Sequence, residues 1–228
     1  MTTTDREKFV NSMVDLHLIL KKLGSPLQMD TLFLAVSLFD RFLGERIVAR
    51  EKLPLLMTAS FYLASKFEDT NYPMISDLLV ISKQAFTKDD MLMMERILLH
   101  KLGFRMGAPT AYTFLRRYVH CCECENTVGL TARFLAELSL MSYSLSTRYP
   151  PSMVAASALA FALAVNGKAP WSKTLQTYSG YAYEQLHACM VEMREIAKRS
   201  PLMKYQTTYA KYSSENYLQV ASNAVKLM

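Results

Sequence analysis

Apolar residues recur at helical intervals along almost the whole chain. Phe9, Met13, Leu16, Leu20 and Leu23 step by four, three, four and three, marking one face of a helix that ends at Gly24. Ser25-Pro26-Leu27-Gln28 reads as a capping box with proline at the first helical position. It predicts a second helix, with core stripe Leu32, Val36, Phe39 and Leu43, stopped by Gly44. A third helix, about Leu53 to Phe67, is apolar on nearly all sides, the mark of a helix buried at the centre of a bundle. Pro73 opens a short helical segment. Thr87-Lys88-Asp89-Asp90 is another capping pattern, and starts a helix through Met91, Met94, Leu98 and Leu102 to Gly103.

The second half repeats the plan. Helices are expected near Thr110–Val119, Thr127–Ser144, Pro151–Val165, Ser172–Tyr178 and Tyr181–Lys198. The third is again small and apolar, entered by Pro150-Pro151 and closed by Asn166-Gly167. A central buried helix in third place in both halves implies a duplicated five-helix unit, with the junction near Gly107-Ala108-Pro109. After Pro201 the periodicity fades into a Tyr-rich polar tail.

Composition narrows the class. With 51% hydrophobic and 20% charged residues in 228, and only 7 Gly and 8 Pro, the chain is neither disordered nor collagen-like. The longest apolar run, Met153–Val165, is too short to span a bilayer, and the N-terminus lacks a leader's pattern, so a soluble intracellular protein is expected. Four Cys are too few for a disulfide scaffold. Charge is uneven: residues 1–108 carry 14 Lys/Arg against 13 Asp/Glu, and residues 109–228 carry 12 against 7. That lean suits an acidic partner surface better than nucleic acid, which favours a concentrated basic stripe.

No catalytic constellation stands out. The chain has no glycine-rich phosphate loop, no His-Glu-x-x-His and no Gly-x-Ser-x-Gly, and its four His are scattered. Cys121-Cys122-Glu123-Cys124 includes a Cys-x-x-Cys, but a zinc site needs four ligands and only His120 lies nearby. The residues read as free thiols in a helix–helix loop, and neither cofactor nor metal is expected.

Read as ordered blocks, the chain resembles the cyclins, most closely the mitotic A/B-type group. The first half carries Asp30-Thr31-Leu32-Phe33-Leu34-Ala35-Val36, Phe39-Asp40-Arg41-Phe42-Leu43, Leu63-Ala64-Ser65-Lys66-Phe67-Glu68-Asp69, Met94-Glu95-Arg96 and Leu102-Gly103-Phe104-Arg105-Met106-Gly107-Ala108-Pro109-Thr110. The second carries Tyr149-Pro150-Pro151-Ser152, Trp171-Ser172-Lys173-Thr174-Leu175, Tyr178-Ser179-Gly180-Tyr181 and Lys211-Tyr212-Ser213-Ser214. The resemblance implies an all-α fold of two tandem five-helix cyclin boxes, residues 1–108 and 109–200, each around a buried central helix, with a C-terminal tail at 201–228. It also implies a regulatory subunit rather than an enzyme, working in the nucleus and cytoplasm as partner and activator of a cyclin-dependent protein kinase.

In the family, box one docks on the kinase C helix through a Lys and a Glu, and those positions match Lys66 and Glu95 here. Leu63, Phe67, Glu68, Leu99, Phe104 and Met106 fall among the family's other kinase contacts, with Phe67 and Met106, near helix ends, expected at the surface. The groove that docks Arg-x-Leu motifs of substrates or inhibitors maps to Leu16, Arg50 and Leu53, but Leu16 replaces the usual Trp and the acidic family position falls near Ile19. Val10 replaces the Arg that pairs with the Asp matching Asp40, so Arg6 or Lys8 is expected to take over that pairing. Other readings are a transcriptional cyclin, or a double cyclin-fold nucleic-acid-binding factor like transcription factor IIB. A helical enzyme would need a convergent polar set that the sequence lacks.

Overall fold

A computed structural model describes residues 3–168 and 171–227, and every regular element among them is helical. The chain divides into two compact units, Met1–Ala108 and Pro109–Met228.

The first unit holds α1 (Thr3–Lys22), α2 (Met29–Glu45), α3 (Leu53–Glu68), α4 (Ile75–Ile81) and α5 (Lys88–Lys101). Helix α3 is the hub, packed against α1, α2 and α5. Its all-round apolarity has the expected consequence: Leu56, Ala59, Phe61 and Ala64 are fully buried. The capping box of α5 forms as read: the Asp90 amide donates to Thr87 Oγ1 at 3.1 Å and the Thr87 amide to Asp90 Oδ2 at 2.9 Å. The one at Ser25–Gln28 does not, because α2 begins only at Met29. Its cap comes from across the fold. The Asp69 carboxylate, just past α3, accepts the Gln28 amide at 2.8 Å and the Thr31 hydroxyl.

Asp40 finds the replacement partner. Arg6 reaches it in a bidentate fork, Nε to Oδ1 at 2.9 Å and a terminal nitrogen to Oδ2 at 2.7 Å, while the exposed Lys8 takes no part. With Val10 fully buried, the cation has moved one turn towards the N-terminus and the ion pair survives.

The second unit comprises α6 (Ala111–Cys122), α7 (Asn126–Ser139), α8 (Tyr143–Arg148), α9 (Pro151–Val165), α10 (Lys173–Ser179), α11 (Tyr183–Arg199), α12 (Thr207–Tyr212) and α13 (Val220–Leu227). The Ala-rich α9 is its hub, packed against α6, α7 and α11. Small side chains bring those neighbours close. Sequence merges α7 and α8 into one helix. The structure breaks them apart because the Ser142 hydroxyl accepts the Leu145 amide and starts a new turn. Helix α6 in turn runs past Val119 to Cys122, into the stretch read as a loop. The motif residues around α9 are structural: Ser152 and Tyr181 hydroxyls meet at 2.8 Å, and the Trp171 indole donates to the Tyr181 carbonyl at 2.9 Å.

The C-terminal tail is more ordered than its fading periodicity suggests. Helices α12 and α13 pack on α7 within the second unit. The anchor is polar, which is why an apolar stripe did not reveal it. Fully buried Glu137 of α7 accepts from Lys211 Nζ at 2.5 Å, the Tyr212 hydroxyl at 3.1 Å and the Thr208 hydroxyl at 3.2 Å. Burial, and then the Glu137 charge, push the Tyr212 phenol well above its ordinary value.

Candidate functional site

The end of α3 and the middle of α5 lie side by side, and the Lys66 ammonium is bonded to the Glu95 carboxylate between them. Both charges are partly withdrawn from water, with side-chain exposures of 29% and 11%. Lys66 also sits 4.6 Å from the Tyr62 ring centroid, and Tyr62 stacks edge-on with Tyr72. Burial, then the Glu95 charge, raise the Tyr62 phenol above its ordinary value. The Lys66 side chain is thus guided by an aromatic face on one side and a carboxylate on the other. The result is a preformed donor–acceptor pair of the kind that bonds exposed backbone at a helix end.

Two aromatic side chains of this unit are exposed. Phe67 is 54% exposed and Phe104 is 63% exposed, unusual for large apolar side chains. Phe104 follows Gly103, and both have left-handed backbone, φ +56 and +58. A non-glycine residue there carries local strain, held by the turn that closes α5. His100 stacks edge-on against the Phe104 ring at 5.5 Å. Below this loop, Arg41 donates to the Arg105 carbonyl at 2.8 Å. The Phe67 ring lies over Gly107, where an added Cβ would sit in van der Waals contact with it at 3.4 Å.

The remaining site residues divide by burial. Glu68 is exposed and Leu99 half-buried, whereas Leu63 is buried. Met106, expected at the surface, is buried as well, at 7% exposure. Its position after the helix suggested exposure, but the loop folds back and puts Met106 inward while Phe104 turns out. The structure therefore leaves Lys66, Phe67, Glu68, Leu99 and Phe104 wholly or partly accessible and buries Glu95, Leu63 and Met106. Sequence did not single out Tyr62, Arg41, Asp69 or Gly107 as contributors. Arg41, Asp69 and Gly107 stood in the ordered blocks without a role, and nothing in the sequence pointed to Tyr62.

The groove residues are not gathered. A cleft of about 190 Å³ opens between α1, α3 and α4, lined by Ser12, Asp15, Leu16, Ile19, Met57, Thr58, Leu78, Ile81 and Ser82. Leu16 is on its wall, but Arg50 and Leu53 are not. Arg50 pairs instead with Asp5 at 3.0 Å, and Leu53 is buried at the start of α3.

The sequence matches the cyclin N-terminal domain over residues 1–107 and the cyclin C-terminal domain over residues 109–225. It is 38% identical over 194 residues to Cyclin-B2-2 of Arabidopsis thaliana, covering 85% of this chain and 45% of that protein. It is 37% identical over 192 residues to G2/mitotic-specific cyclin-2 of Medicago sativa, covering 84% and 58%. The chain thus spans about half the length of these curated relatives. The fold is similar to that of a viral cyclin from herpesvirus saimiri, with a TM-score of 0.73 at 18% identity over 86% of this chain and 85% of that one. With helix order, the Lys66–Glu95 pair and both domain matches in agreement, the chain belongs to the cyclin family.

Proposed function

We propose that this chain is the kinase-binding core of a B-like mitotic cyclin, which docks on the C helix and activation loop of a cyclin-dependent Ser/Thr protein kinase and activates it in the nucleus and cytoplasm. The observation that carries the reading is the Lys66–Glu95 pair, aligned by Tyr62 and framed by exposed Phe67 and Phe104. An apolar rim around a partly desolvated charge pair is the composition of an interface hot spot. Glu68, also exposed, faces solvent beside Phe67, where it suits a basic residue of an activation loop. The mitotic reading rests on the names of the relatives, which are G2/mitotic-specific and B2-type cyclins.

Phosphoryl transfer then belongs to the partner. A kinase positions ATP only when its C-helix Glu reaches the strand-three Lys. A regulator that binds the rotated-in helix better than the rotated-out one shifts that equilibrium by its differential affinity. Moving the population from about 1:99 to 99:1 takes roughly 5.5 kcal/mol of preference. Hot-spot contacts supply that preference only so far as they are made to the rotated-in helix and lost on the rotated-out one.

Titrating the chain into a monomeric cyclin-dependent kinase and following peptide phosphorylation tests the reading, with Lys66→Ala/Glu95→Ala alongside. Stimulation by the parent chain and its loss in the folded double variant are expected. A folded chain that stimulates none of a panel of such kinases would overturn it.

A further inference from the structure

One group of reactive side chains has no part in the docking surface: Cys121, Cys122 and Cys124, at the corner between α6 and α7. Cys122 is the last residue of α6. Glu123 then takes the left-handed conformation, φ +49, and its amide bonds the His120 carbonyl to close the helix. The next residue is Cys124. The pairing the corner favours is therefore not the Cys-x-x-Cys of the sequence but Cys122 with Cys124, which flank the left-handed Glu123 and lie close enough for Cys124 to raise the Cys122 thiol. A left-handed middle residue folds the backbone as tightly as one helical turn. It sets Cα atoms two residues apart at about 5.5 Å, inside the range a disulfide bridges.

Access and chemistry agree with that geometry. All three thiols at the corner are half-buried, so a small oxidant reaches them, whereas Cys189, on α11, is fully buried. Burial, and then the neighbouring Cys124, push the Cys122 thiol up to about 11. A thiol held up in this way is the poorer first nucleophile, which suits Cys122 to the second, bond-closing step. A metal site is the weaker reading, because no three His, Cys, Asp or Glu side chains among the described residues are arranged to hold an ion.

We propose that Cys122 and Cys124 form a reversible dithiol modification site, closed to an intrachain disulfide by a peroxide-class oxidant. In the first step the Cys124 thiolate attacks hydrogen peroxide. An S–O bond forms, the O–O bond breaks, and the departing hydroxide takes a proton to leave as water. In the second step the Cys122 sulfur attacks the sulfenic sulfur. The S–S bond forms, the S–O bond breaks, and the hydroxyl departs with the thiol proton as a second water. The two sulfurs lose two electrons in total and the peroxide gains them. A ring closed across a single residue is strained, so a dithiol reductant reopens it readily, as suits a modification rather than a structural crosslink. Closure fixes the α6–α7 corner beside Glu125, which already pairs with Lys168 after α9 at 2.5 Å.

The test is peptide mass spectrometry on the reduced full chain after dilute hydrogen peroxide and alkylation with N-ethylmaleimide. The tryptic peptide Tyr118–Arg133 contains all three thiols. The expected product has lost two hydrogens, carries one alkyl group on Cys121, and returns to three alkyl groups after dithiothreitol. Cys122→Ser and Cys124→Ser each abolish the product, and Cys121→Ser keeps it. Three alkylated thiols after peroxide, a crosslink between chains, or a bridge that needs Cys121 would each overturn the assignment. The readout involves no kinase, so its failure is separate from any failure of the docking proposal.

Discussion

Removing the Lys211 ammonium while leaving Glu137 in place tests whether the C-terminal helices are held by a buried ion pair. Glu137 is fully buried, the Lys211 side chain is 2% exposed, and the two atoms are 2.5 Å apart. At an effective dielectric of ~20 the attraction over that distance is about 7 kcal/mol, which roughly offsets several kcal/mol of desolvation for each ion. Lys211→Met discards the attraction but leaves the carboxylate dehydrated. Such single truncations cost about 3–5 kcal/mol. The Tyr212 and Thr208 hydroxyls still donate to Glu137, so the expected loss is at the lower end, about 3 kcal/mol. Urea unfolding followed by tryptophan fluorescence reads the second unit alone, because Trp171 is the chain's single Trp. With a slope of about 1.5 kcal/mol per molar for a domain of this size, the midpoint falls by about 2 M. Glu137→Gln and the double variant complete a cycle, with an expected coupling of about 2 kcal/mol. Additive losses, or a Lys211→Met penalty below about 1 kcal/mol, would refute the ion-pair argument and leave aromatic packing of Tyr212 on Phe134 as the anchor.

Other outcomes follow from single contacts. Arg6→Ala strands Asp40 and is expected to cost the first unit about 2–3 kcal/mol, with Arg6→Lys recovering only part because it loses the bidentate fork; equal stability of the three proteins in urea would contradict this. Arg-x-Leu peptides are expected to bind the α1–α3–α4 cleft weakly, and Ile19→Glu to tighten them about tenfold by supplying the missing acid; calorimetry showing tight binding to the parent chain would sink the idea. Thr87→Ala removes the cap of α5 and is expected to cost the first unit about 1 kcal/mol in urea unfolding followed by circular dichroism. The Thr87 amide and hydroxyl hold the Asp90 carboxyl below its ordinary range, so this contribution is present above the unfolded carboxyl value and lost as pH falls through the folded one. Thr87→Ala keeps the amide and so flattens the acid limb only in part, whereas Asp90→Asn should remove this share of it; an acid limb unchanged in Asp90→Asn would count against the cap.

The sequence by itself determined the helical class, the repeat and its hubs. Apolar spacing and breaker residues act over one or two turns, and α3 and α9 are apolar on every side, so their burial has no alternative. It also placed Lys66 and Glu95, because ordered blocks from Asp30 to Thr110 fixed their positions. It named Arg6 as a candidate for Asp40, because a cation one turn from a lost one lies on the same helix face. What depends on meeting residues distant in sequence was decided only by the tertiary structure. Asp69 capping α2 overrode the local signal at Ser25–Gln28, since a charged acceptor delivered by another helix satisfies the amides as well as a local one. Glu137 and Lys211, 74 positions apart, carry no periodic signature, so the packed C-terminal helices read as a polar tail. Met106, expected at the surface, is buried because two left-handed residues turn the loop, and backbone sign is not written in hydropathy. The cysteines at the α6–α7 corner show the same division: sequence fixes their spacing, but only the fold at Glu123 decides which two sulfurs meet.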